Sequence, residues 1–150
     1  EMYRWLWLGL IVVPVVLLSG CAGSDNTLTP GEGTGTIQTG DFDPFDGARG
    51  PLSLQYFTAP QAATYQIILS SGPDSPPLAN PWVMVFVGHV DETNESFFGA
   101  YDGGAGVLKQ THGSNIAQLT IRARAGREYT VCFGNWNGGT GNYSWSVARL

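Results

Sequence analysis

IRARAGREYTVCFGNWNGGTGNYSWSV, residues 121–147, alternates apolar and polar positions and is interrupted twice by glycine-bearing turns. Together with Leu119 just before it, the stretch contains three alternating sets: Leu119, Ile121 and Ala123, then Tyr129, Val131 and Phe133, then Tyr143, Trp145 and Val147. A period of two residues places each set on one face of a strand, so the three sets are expected to point inward. Ala125-Gly126 and the run NGGTG at 137–141 separate the strands and supply the positive-φ positions that tight connections need. Working outward, short runs rich in β-branched and aromatic residues predict further strands at 52–58, 64–70, 82–90 and 96–101, beside those at 117–124, 128–136 and 142–148. No segment has the periodicity of an amphipathic helix. The expected fold is all-β, a single antiparallel β-sandwich of about seven to eight strands spanning residues 41–150.

The same residues carry a family resemblance. The strand ending at Ala123, the Ala125-Gly126 turn, the early Tyr129, the loop glycines Gly138 and Gly139, and Gly141-Asn142-Tyr143 leading into an alternating last strand resemble the closing motif of the bacterial pre-peptidase C-terminal domain. YFTAPQAATYQIIL resembles that family's paired opening strands and WVMVFV its central apolar strand, so the likeness covers about residues 52–148. It implies a jelly-roll-like, non-catalytic accessory domain, a type often attached to secreted hydrolases that in some cases binds polysaccharide, collagen or calcium. The chain departs from the pattern in carrying no peptidase. It also has Asn80-Pro81-Trp82 where many relatives have acidic residues leading into the central strand, which counts against calcium there.

Ahead of the domain, residues 5–18 (WLWLGLIVVPVVLL) are uncharged and apolar, and Arg4 precedes them. As a helix they would span roughly 21 Å, short of the ~30 Å hydrocarbon core, which suits a signal-peptide apolar region better than a membrane span. Leu18-Ser19-Gly20-Cys21 follows and resembles the bacterial lipobox, in which the cysteine sulfur takes a diacylglyceryl group and the signal is cut before it. The expected organisation is a lipoprotein signal peptide at 1–20, lipidated Cys21 and a flexible Gly/Thr-rich linker at 21–40, and the sandwich at 41–150. The implied location is the bacterial cell envelope, on a bilayer held through acylated Cys21. Ala22, where an Asp would favour inner-membrane retention, implies the outer membrane in a Gram-negative host. With Cys21 acylated, Cys132 has no partner and reads as a buried apolar residue in YTVCF.

Twelve Asp and Glu against seven Lys and Arg give a net charge of −5, which excludes a nucleic-acid binder that relies on a basic stripe. His89 and His112 stand singly, without a metal or triad context, and no nucleophile elbow occurs, so no catalytic residues and no enzyme activity are expected. Asp41, Asp43 and Asp46 in DFDPFDG could offer hard oxygen ligands to calcium, although their spacing departs from the EF-hand loop; no other cofactor is expected. Trp136, between Asn135 and Asn137 at the lip of the Gly-rich loop, is a candidate ligand-binding trio, since loop amides around an indole can line a sugar site. The functional expectation is an envelope-anchored, non-catalytic lipoprotein that binds glycan or an envelope protein. The alternative is a structural or assembly subunit joined through an exposed strand edge.

Overall fold

The structure, a computed structural model, describes residues 26–44, 50–91, 93 and 107–150. The apolar segment, Cys21, Asp46 and the strand expected at 96–101 lie outside these residues. Nine strands are described: β1 (Thr27–Leu28), β2 (Gly31–Ile37), β3 (Ser53–Thr58), β4 (Ala63–Ser71), β5 (Pro81–Val87), β6 (Val107–His112), β7 (Ile116–Ala123), β8 (Glu128–Asn135) and β9 (Gly141–Arg149). They form two sheets packed as a sandwich, with orders β1-β3-β8-β5-β6 and β2-β9-β4-β7. Every pairing is antiparallel except β1 with β3, which is parallel. No helix among the described residues is long and apolar enough to cross a membrane.

The alternation in the last third of the chain produces the main core. Ile121, Tyr129, Val131, Phe133, Tyr143 and Val147 are buried between the sheets, and Trp145 packs partly buried against them. The turns follow the glycines: Gly126 has φ +72° between β7 and β8, and Gly138 has φ +77° between β8 and β9. β5 and β8 lie inside the five-stranded sheet and are buried on both faces. Val83 and Val85 face the main core, whereas Trp82, Met84, Phe86 and Cys132 join a second apolar cluster on the outer face. This is why PWVMVFV is a continuous apolar run rather than an alternating one. Burial also pushes the Cys132 thiol far up from its ordinary range, leaving it protonated and inert.

The segment read as a flexible linker at 21–40 is corrected from residue 27 onward: it supplies β1 and β2. Composition misleads here because the inner face of β2 is almost side-chain-free, and its neighbour fills the space. Gly33 pairs with Trp145 and Gly35 with Tyr143, and the two aromatic side chains lie across the glycines. A Cβ on Gly33 would sit 2.7 Å from Trp145 Cζ2, and one on Gly35 would overlap the Tyr143 phenol. Large side chains on one strand thus cover glycines on the next. The bulky apolar residues of the segment, Leu28 and Ile37, are its anchors, at 1% and 0% exposure. β6 also escaped the reading, because its pattern of exposed and half-buried residues carries no clean period.

If β2 is part of the core, Ile37→Ala should destabilise the domain by about 2–5 kcal/mol, as for other large-to-small core changes. Chemical denaturation measures this directly, and a cost under about 0.5 kcal/mol would match a dispensable surface segment instead.

Candidate functional site: a groove between the sheet edges

β3 and its short neighbour β1 end one sheet, β2 ends the other, and the space between these edges is an open groove of about 850 Å³. Alternation brings Ser53 and Gln55 of β3 to the inner side, opposite Phe133 and Val131. The buried Tyr143 and the partly buried Trp145 of β9 lie at its base, with Gly35 and Gly33 of β2 packed against their rings, so that Trp145 is the one of the two that opens to the groove. A hydrogen-bonded chain joins the two sheets: Gln55 Nε2 donates to Ser53 Oγ at 2.9 Å, and Ser53 Oγ lies 3.0 Å from the Tyr143 hydroxyl. Burial raises the Tyr143 phenol above its ordinary pKa; the Ser53 hydrogen bond opposes this, and the charge of Asp41 adds to it. The hydroxyl that links the two sheets is therefore neutral. The groove's remaining lining includes Asn26, Asp41, Asp91 and Thr93 and, along the β2 edge, Thr34, and no Lys or Arg is among the described residues that line it.

The outer end is braced by a polar network that sequence reading missed. Thr130, fully buried, accepts from Val90 N at 2.8 Å and donates to Gly88 O at 2.7 Å, fixing the segment after β5. His89 then stacks on Tyr56, with ring centroids 4.1 Å apart and planes 13° apart. Its Nδ1 lies 2.9 Å from Glu128 Oε1 and its Nε2 3.3 Å from Asp91 Oδ2. An imidazole donates to both carboxylates only when both nitrogens carry hydrogen. The one sequence signal for this bracing is a threonine between apolar neighbours, Tyr129 and Val131, near the start of β8.

The candidate trio Asn135, Trp136 and Asn137 is brought together, as a turn. Asn135 is 4% exposed and its Oδ1 accepts the Asn137 amide at 3.2 Å. Trp136 stacks on His112 at 3.9 Å and meets Trp82 edge-to-face at 5.4 Å, so it packs against the outer apolar cluster and has one ring face occupied by the imidazole. Asp41 Oδ2 accepts the Gln38 amide at 2.7 Å. Asp43 is half-buried nearby, Asp46 lies outside the described residues, and no group of three His, Cys, Asp or Glu among the described residues is placed to hold a metal.

The Thr93 hydroxyl and then its amide, at 2.6 and 2.8 Å, hold the Asp91 carboxyl below its ordinary value of 3.8; desolvation opposes them, and His89 adds a lesser lowering. A carboxyl whose folded pKa is lowered stabilises the fold in its ionised form; that contribution is complete above about pH 4 and is lost as pH falls through the lowered folded value. Asp91→Asn should therefore flatten the acid side of a Tm-against-pH curve, and an unaltered acid side would contradict the assignment.

No family model and no curated protein matches the chain. Among solved structures it is similar to the pre-peptidase C-terminal domain of a collagenase from Bacillus anthracis, at TM-score 0.49 and 17% identity, over 81% of this chain and 92% of that one. It is also similar to PliG of Aeromonas hydrophila, a periplasmic inhibitor of g-type lysozyme, at TM-score 0.44 and 12% identity, over 83% of this chain and 94% of that one.

Proposed function

We propose that the protein is a non-catalytic binding module of the bacterial cell envelope, held on the bilayer through acylated Cys21, and that its groove takes a carbohydrate. The observation that carries the reading is the groove's make-up. The partly exposed indole of Trp145 sits at the floor beneath walls of hydroxyls, amides and carboxylates, and this combination suits a sugar, which has an apolar ring face and a rim of hydroxyls. The groove lies near the start of the folded chain. Six residue steps separate Cys21 from Thr27, so an anchor at Cys21 keeps β1 within ~22 Å of the acyl attachment point, and the module works close to the membrane surface.

Two experiments test the parts separately. Trp145→Leu keeps an apolar plug over Gly33 while removing the indole face, and should weaken retention on the recognised polysaccharide about tenfold, or about 1.4 kcal/mol. Retention that is unchanged in a folded variant would remove the groove as the site. Cys21→Ser should leave the precursor uncleaved and abolish incorporation of labelled fatty acid, and labelling that survives the substitution would overturn the anchor.

A further inference from the structure

The outer edges of the sandwich are finished differently. On one side, β6 carries Lys109 and β7 carries Arg122, and Lys109 Nζ reaches across to donate to Thr120 O of β7 at 3.0 Å. Charged side chains that cover or flank an edge strand block the approach of another strand. β2, at the edge of the other side, has the sequence GEGTGTI: no Pro, no Lys or Arg, and one acid.

The backbone direction of β2 follows from its neighbour. Asn142 of β9 points its amide and carbonyl away from β2: its N–H donates to Pro76 O, and its C=O accepts from Gly72 N and Leu78 N, each at 2.8 Å. Polar groups alternate sides along a strand, so Gly141, Tyr143, Trp145 and Val147 turn theirs toward β2. Their partners Ile37, Gly35, Gly33 and Gly31 bond back to β9. Glu32, Thr34 and Thr36 are left with amide and carbonyl directed to the free edge, and no hydrogen bond joins them there to any described residue.

We propose that this edge pairs antiparallel with β2 of a second copy of the chain, about a two-fold axis through Thr34, making one continuous sheet across the dimer. The sequence is self-complementary in that register. Thr34 faces Thr34 of the second copy, a favourable cross-strand pair, and Glu32 faces Thr36 of the second copy, so no like charges are opposed. On the inner side Gly33 meets Gly35 of the second copy, where there are no side chains to collide. The two grooves then run side by side, one on each side of the axis. The pairing does not depend on what the groove binds.

The test uses the full chain in membranes. Directly opposed bonded residues lie about 5.5 Å apart at Cα, within the span of a disulfide. Thr34→Cys should therefore give an oxidised homodimer that the unsubstituted chain, with Cys21 and buried Cys132, does not. Gln118→Cys, exposed on β7, should stay monomeric. Thr34→Pro removes an N–H that points only to the free edge, so the fold, checked by near-UV circular dichroism, should persist. Loss of the homodimer in that folded variant, seen by chemical cross-linking, is the expected result. Equal cross-linking of Thr34→Cys and Gln118→Cys, persistence of the dimer in Thr34→Pro, or a Thr34→Cys disulfide formed only with a different protein would each overturn the proposal.

Discussion

Two aromatic side chains lying across two glycines hold one side of this sandwich together. Tyr143 and Trp145 of β9 occupy the space where side chains at Gly35 and Gly33 would stand, so β2 can dock flat against them with almost no apolar residues of its own. Remove that fit and the consequences spread. β2 loses its reason to pair, Leu28 and Ile37 lose the frame that seats them in the core, and the groove loses its floor. Glycine is weak in strand interiors because it brings no contacts and much backbone entropy. Here both costs are offset by the ring surfaces of the next strand, which gain a partner, and Trp145 remains partly open to the groove.

The five-stranded sheet meets a different demand. Its central strands are buried on both faces, so the outer face needs its own cover, and Phe42, Tyr56, Val107 and Trp136 pack there against Trp82, Met84 and Cys132. A buried strand that must also fix a loop requires a polar residue with all its bonds made. Thr130 meets that requirement by bonding Gly88 and Val90, which sets His89 over Tyr56 and Asp91 at the groove's outer end. The chemistry of the groove rim thus depends on one hydroxyl near the start of β8.

The late strands were legible because their side chains alternate, and the turns between them because only glycine sits comfortably at φ near +70°. Cys132 was legible from its apolar neighbours. β2 was not, because its stabilising contacts belong to residues more than a hundred positions away, and a local window sees only Gly and Thr. The groove was hidden for the same reason. Trp145 reads as an ordinary core position by alternation, and only its pairing with a glycine opens it to solvent. Trp136 drew attention as a loop tryptophan between two amides, yet its exposure depended on whether His112 lay beside it, which no spacing could tell.

The most direct measurement is residue-resolved amide hydrogen exchange along β2 in dilute protein, where pairing between copies is minimal. Bonds to β9 on one side and a free edge on the other predict an alternation, with Gly33, Gly35 and Ile37 protected and Glu32, Thr34 and Thr36 exchanging fast. Uniformly fast exchange from Gly31 to Ile37 would mean that the segment is a linker after all, and would remove the floor, the groove and the edge together.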